Sequence, residues 1–332
     1  MNMLKKMKEE FRRPSLLVDG KPLFASYQWS VAPEPDKFVN DAAARKYAEA
    51  GIHLHTFDLG DDQWCGPNNH AIGKGAPAAH FDFSCLKERF NRVLDADPDA
   101  RFSLRIHTEK YGADNWWLKM YPEESELAEG GGGGYSDSYA SQLRSSQSYA
   151  SVLWRDQAKA FLREYVRQIE AIGMAERVVA WHPMHGYAGE CFKWSAVGDE
   201  IGDFSEPMQL YFRNWLKIRY DNDERGLRTA WADPNVNFGT AMVPTRAQQL
   251  QTHHMTFRDP RTEQQVIDYY RSYADLNADL IIDFNRTLKD EIPNGIFTGA
   301  FYGYLFELTG NDSFWGGGNE TRLGGLQRSG QL

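Results

Sequence analysis

Apolar and polar positions along the 332-residue chain alternate with two periods. A period of two sends successive side chains to opposite faces of a strand, and a period near 3.6 puts them on one face of a helix. The first period marks residues 24–29, 52–59, 101–107, 177–184 and 295–306. The second marks 38–50, 83–96, 149–172, 208–220, 224–231 and 263–292. Alternating apolar residues around Asp19-Gly20 predict a small hairpin over 16–24. Gly51 and Gly173 stand where helices take a left-handed C′ residue, and Pro293 stops the last helix. Residues 235–259 are polar and carry no clear period. The loop after the third strand holds Trp116, Trp117 and five glycines at 130–134, which no regular element accommodates.

The resulting order, β-α-β-α-β-α-β-α-β, predicts a parallel α/β sheet with helical crossovers. A doubly wound sheet is one solution, but no glycine fingerprint follows the first strand. Every strand runs into polar and aromatic residues at its C-terminal end, where barrel enzymes carry their sites. The expected fold is therefore an α/β (β/α)8 barrel of the TIM type, truncated after about five strands. It would occupy residues 22–332, with an N-terminal segment and hairpin over 1–21 and a helical insertion around 195–260.

Composition narrows the function. At 42% hydrophobic and 14% aromatic the chain is too apolar to be disordered. A net charge of -9 argues against a nucleic-acid partner, which needs clustered cations. The basic run over 5–13 is interleaved with acids and reads as a solvated terminal helix. Cys65, Cys85 and Cys191 are far apart and form no CxxC pair, so neither a zinc knuckle nor a disulfide framework is expected, and no cofactor is indicated. No apolar run reaches the roughly 20 residues that span a bilayer. The expectation is a soluble protein without a membrane partner, cytoplasmic as given or secreted if a signal peptide was removed. Ten Trp and sixteen Tyr, many beside Gly, Asn, Asp or His, suit a sugar, which offers an apolar C–H face and a rim of hydroxyls.

The fourth strand ends in Trp181-His182-Pro183-Met184-His185-Gly186-Tyr187-Ala188-Gly189-Glu190, followed by Cys191-Phe192-Lys193-Trp194. Aromatic surroundings desolvate a carboxyl group and raise its pKa, which suits Glu190 to protonate a glycosidic oxygen. A structural ion pair with Lys193 or an arginine is the alternative. The second strand ends around Asp58, the third in Arg105-Ile106-His107-Thr108-Glu109, and the fifth around Tyr302 and Glu307. Arg105 and His107 share one strand face, and such charges either satisfy one another or line a ligand site. Asp58, Arg105, His107, Glu109 and His185 are the candidate contacts to sugar hydroxyls. Trp116, Trp117, Trp194 and Tyr302 are the candidate stacking faces. His53 with His55, and His182 with His185, leave a metal-dependent barrel enzyme as a further reading.

Three stretches resemble the β-galactosidase-like barrels of glycoside hydrolase family 42, in the clan of retaining barrel glycosidases. They are Trp64-Cys65-Gly66-Pro67 with Phe81-Asp82-Phe83-Ser84, then Gly189-Glu190, and the run from Tyr211 through Asn214-Trp215 to Tyr220 with Leu227-Arg228-Thr229-Ala230-Trp231. The resemblance covers roughly 22–332. It implies a retaining mechanism on β-linked oligosaccharide or polysaccharide, with Glu190 as acid/base and a homo-oligomeric state. It also implies a nucleophile at the end of a seventh strand, which would lie beyond Leu332. Within the chain, Glu109 or Glu307 would be the second carboxylate. Two departures stand out. Gly189 occupies the place of the Asn that precedes the acid/base, and the zinc-binding cysteine cluster of some members is absent. A non-catalytic carbohydrate-binding barrel is the alternative function.

Overall fold

The computed structural model describes residues 6–10, 13–18, 20–23, 26–30, 41–60, 64–65, 80–109, 116–129, 146–184, 191, 201–251, 258–293 and 295–300. The chain divides into two compact units. The first comprises Met1–Thr108, Gln157–His185 and Ile281–Phe301, and the second Glu109–Asp156, Gly186–Leu280 and Tyr302–Leu332.

The first unit holds a five-stranded parallel sheet. Its strands are β4 (Tyr27–Ser30), β5 (Leu54–Leu59), β8 (Arg101–His107), β9 (Val178–Met184) and β10 (Phe297–Thr298). They lie side by side in chain order, each parallel to its neighbours. Helix α1 (Asp41–Glu49) precedes β5, α2 (Leu86–Ala96) precedes β8, α4 (Val152–Ala171) precedes β9, and α8 (Gln264–Glu291) precedes β10. A doubly wound sheet reverses its strand order at a switch point, whereas uninterrupted sequential order is the winding of a (β/α) barrel. Among the described residues this settles the choice between the two in favour of the barrel.

Alternation along the strands separates two faces. Phe102, Leu104 and Ile106 are fully buried on one of them. Phe90 of α2 meets Phe102 edge-on at 4.8 Å, and Tyr165 of α4 meets Trp181 at 6.5 Å, so this face is roofed by helices. The short antiparallel pair β6 (Trp64–Cys65) and β7 (His80–Phe81) adds an aromatic layer, with Trp64 and Phe81 at 5.2 and 5.1 Å from Phe161. These rings bury large apolar areas, and tilted or edge-on contacts suit their quadrupoles.

At the N-terminal end of the sheet, the Asp-Gly hairpin forms as expected. β2 (Arg13–Val18) pairs with β3 (Lys21–Leu23), Val18 faces Lys21, and Gly20 takes φ +78°. Val18 and Leu23 pack with Leu54, Val179 and Ala180. The expected terminal helix over 5–13 is replaced by a strand, β1 (Lys6–Glu10), antiparallel to β2. A ready strand partner overrides the helix propensity of the Lys/Glu run.

The second unit contains α3 (Trp116–Met120), α5 (Glu206–Arg219), α6 (Glu224–Trp231) and α7 (Arg246–Leu250). Ser205 caps α5 by accepting from the Met208 amide, and Asp223 caps α6. Buried Asp268 of α8 accepts from the Tyr220 hydroxyl at 2.6 Å and from the Trp231 indole and Gln264 amide at 2.8 Å each, tying α5 and α6 to α8. The polar stretch 235–259 hides α7, five residues fixed by a Thr245/Gln248 capping box and too short to show a period. Among the described residues no helix is long and apolar enough to cross a membrane.

Candidate functional site

The inner face of the sheet, opposite the helices, is polar where the strands end. Register sets Asp58 of β5, Arg105 of β8 and His182 of β9 in one row, because Asp58 pairs with Arg105 and Arg105 with His182. His107, two residues beyond Arg105, stands on the same face one step nearer the strand end. Arg105 is almost fully buried. Its Nη2 lies 2.7 Å from Asp58 Oδ1, and the His107 Nε2 lies 3.8 Å from Asp58 Oδ2. The guanidinium carbon sits 3.3 Å from the centroid of the Trp29 ring on β4. A cation that close to a ring face is attracted by its quadrupole. Trp29 itself is 43% exposed and stacks with Tyr27 at 6.2 Å, so an aromatic platform borders the charged row.

Electrostatics follow from burial. Desolvation pulls the Arg105 guanidinium down to about 10, with Asp58 and Tyr27 opposing, and leaves it charged at neutral pH. Burial lowers His182 to about 4, reinforced by Arg105 and opposed by Asp58. His182 is therefore neutral at physiological pH, with one ring nitrogen able to accept a hydrogen bond. The row combines a fixed cation, a partly exposed carboxylate and a neutral imidazole, which together can donate to and accept from hydroxyl groups.

Gly60 makes the close approach of β5 and β8 feasible. It has φ +108°, and a Cβ there would collide with the His107 carbonyl oxygen and lie 2.9 Å from the His107 nitrogen. Only glycine satisfies both conditions.

The structure thus brings together Asp58, Arg105 and His107 of the expected contacts. Glu109 belongs to the second unit and is fully buried there. It is one of the charges that, after burial and Glu126, keep the Tyr273 hydroxyl protonated. Trp116 and Trp117 begin a helix rather than lying in a loop. Trp117 has no exposed surface and packs on Tyr121 at 5.1 Å, so it has no ring face to offer a sugar. Glu190, His185, Trp194, Tyr302 and Glu307 lie outside the described residues.

The expected histidine pair at 53 and 55 has another role. His53 Nδ1 lies 2.9 Å from Asp97 Oδ1, His55 Nε2 lies 2.8 Å from Asp97 Oδ2, and His55 Nδ1 lies 2.8 Å from Gln28 Oε1. Asp97 is the C-cap of α2, so the pair fastens strand starts to a helix end. Among the described residues no three His, Cys, Asp or Glu side chains group as they would around a metal ion. Two members of the inner row escaped the sequence-based site. Trp29 was visible only as the end of a strand, although its spacing from Tyr27 puts both rings on one face. Sequence spacing pairs His182 with His185, whereas the register between strands sets it beside Arg105.

No family model matches the chain. β-Galactosidase GalA of Bacillus licheniformis is 24% identical over 216 residues, which cover 62% of this chain and 25% of that protein. The catalytic domain of a β-amylase from Paenibacillus polymyxa superposes with a TM-score of 0.59 at 15% identity, over 82% of this chain and 66% of that one. A β-galactosidase from Bacillus circulans sp. alkalophilus superposes with a TM-score of 0.51 at 15% identity, over 81% of this chain and 36% of that one. The chain therefore spans a quarter of the length of GalA and about a third of the B. circulans enzyme. At these identities the likeness is one of fold, and the chain carries the α/β-barrel fold that these β-galactosidases and this β-amylase share.

Proposed function

We propose that the chain is a glycoside hydrolase, a retaining β-glycosidase of β-galactosidase type acting on β-linked glycans. The observation that carries this reading is the inner row at the strand ends. There a buried Arg105 is held by Asp58 and Trp29 beside a neutral His182, in a fold shared with β-galactosidases. Carbohydrate recognition asks for that mixture of planar charged donors, acceptors and an exposed aromatic face. Arg105, Asp58 and His107 would bond sugar hydroxyls, and Trp29 would stack on the pyranose. His185, Trp194 and Tyr302 are assigned the same duties from their strand-end positions in the sequence.

In this reading Glu190 protonates the leaving oxygen while a second carboxylate attacks the anomeric carbon. Glu190 then removes a proton from the water that releases the glycosyl group. The resemblance assigns the nucleophile to the end of a seventh strand; of the two alternatives within the chain, Glu109 is buried in the second unit and Glu307 lies outside the described residues.

The test is Glu190→Gln assayed on substrates of graded leaving-group ability. General acid catalysis contributes about 10²–10⁴-fold. The variant should lose that factor on alkyl or sugar leaving groups and far less on activated aryl glycosides. Equal losses on both, or none, would remove Glu190 from the mechanism. The same polar row also supports a second reading, sugar binding without turnover. Calorimetric binding of a β-galactoside by a chain that releases no product would favour it.

A further inference from the structure

We propose that Thr56 is a further sugar contact, its hydroxyl forming the floor beneath Asp58 and Arg105. The inference deepens the sugar-binding reading of the inner row and rests on it. Thr56 lies on β5 two residues before Asp58, so both side chains project from the inner face. Register sets it between Trp29 of β4 and Ser103 of β8. It is 2% exposed, and its Oγ1 has no hydrogen-bond partner among the described residues. A buried hydroxyl in that state has given up its hydration for nothing. Valine has the same shape and suits a strand as well, so folding alone gives no reason for the hydroxyl.

What roofs Thr56 can be displaced. β5 lies between β4 and β8, yet the Trp29 ring centroid is 3.3 Å from the Arg105 guanidinium carbon. The indole and the guanidinium therefore meet above the inner face of β5, where Thr56 stands. Trp29 is 43% exposed, so solvent reaches its ring and a change of rotamer lifts it from the floor. A sugar that turns the indole aside gains a stacking face and uncovers Thr56. The threonine hydroxyl both donates and accepts, so it can pair with whichever sugar hydroxyl is inserted deepest.

Thr56→Val exchanges the hydroxyl for a methyl group, and its effects on stability and on binding should diverge. The urea midpoint should stay level or rise, because an unbonded buried hydroxyl is removed. Calorimetric affinity for methyl β-galactoside should fall about tenfold, because the bound sugar then turns one hydroxyl toward a methyl group. Thr56→Ser keeps the hydroxyl and should bind as the native chain does. Monodeoxy galactosides identify the partner. For the analogue that lacks the paired hydroxyl, native chain and Thr56→Val should bind equally. Thr56→Ala deletes the same group and should show the same loss of affinity if the valine variant does not fold.

Unchanged affinity in Thr56→Val overturns the proposal, and a lower midpoint beside it assigns the hydroxyl to a bond within the fold. A loss shared by every deoxy analogue, or not restored by serine, overturns it as well, since the sugar then meets the shape of the floor and not its hydroxyl. If the native chain binds no galactoside, the sugar-binding reading of the row falls and the contact with it. The midpoint of Thr56→Val then still reports whether the hydroxyl is bonded within the fold, so the two failures are told apart.

Discussion

His182 should make the protein less stable in mild acid. The perturbation is a change of pH from 7.5 to 4.5, compared between the native chain and His182→Gln, which cannot titrate. The folded imidazole has a pKa near 4, against 6.5 for an unperturbed histidine. Above 6.5 the side chain is neutral in both folded and unfolded chains and contributes no pH dependence. Between 6.5 and 4 the unfolded chain takes up a proton that the folded chain refuses, so unfolding is favoured as pH falls. Each unit of pKa difference corresponds to about 1.4 kcal/mol. The depression of His182 therefore removes about 3 kcal/mol when complete, most of it by pH 4.5.

Urea unfolding at a series of pH values reads this directly, because the midpoint shift multiplied by the slope gives the free-energy change. Other carboxylates and histidines also titrate in this window, so only the difference between native chain and variant is diagnostic. That difference should fall by about 2.5 kcal/mol between pH 7.5 and 4.5, with the native chain the loser. Parallel curves for the two proteins would refute the argument, as would an NMR titration placing the folded His182 near 6.5. Either result would mean that water or a counter-charge reaches the ring, and the inner row would then not be a desolvated site.

Two further perturbations separate architecture from recognition. Gly60→Ala should cost about 3 kcal/mol, since it adds backbone strain to a collision with His107, and its thermal midpoint should fall accordingly. A change below about 0.5 kcal/mol would show that the β5 end relaxes freely. Asp58→Ala removes an ion-pair partner from buried Arg105 and should destabilise by about 3 kcal/mol, the low end for a broken pair because Asp58 is partly exposed. Combining Asp58→Leu with Arg105→Met should restore most of that stability while abolishing galactoside binding in calorimetry. A double variant as unstable as the single one would show that the pair is needed for folding itself.

The chain's periodicity made the scaffold legible because burial on one face is what periodicity records. Gln264–Glu291 and Glu224–Trp231 were expected to within about a residue at each end, since long or well-capped amphipathic runs leave little choice. Arg246–Leu250 was not foreseen, because five residues make little more than one turn and only the Thr245/Gln248 box announces them. The Lys/Glu run at the start misled in the opposite direction, because strand pairing depends on a partner that no local pattern contains. Within the site, alternation sufficed to put Arg105 and His107 on one face. It did not reveal that Trp29 covers the guanidinium or that His182 shares its row, since both depend on register between strands distant in sequence. Trp117 shows the converse error, in which an aromatic residue among polar neighbours turned out to be core.

The two faces of β8 carry different kinds of information. Phe102, Leu104 and Ile106 are fully buried against helices and account for stability by apolar area alone. Arg105, on the other face with His107, incurs desolvation that Asp58 and Tyr27 offset only in part, as its lowered pKa records. A hydrophobic row of equal volume would serve folding at least as well, because replacing a buried ion pair by apolar groups is often neutral or stabilising. The polar row therefore needs a reason other than stability. Its place at the C-terminal strand ends of a barrel supplies one, because that is where the fold keeps ligand contacts. If Asp58→Leu with Arg105→Met proves as stable as the native chain yet no longer binds sugar, the row is there for recognition, and the helix-facing side of the same strand suffices for the fold.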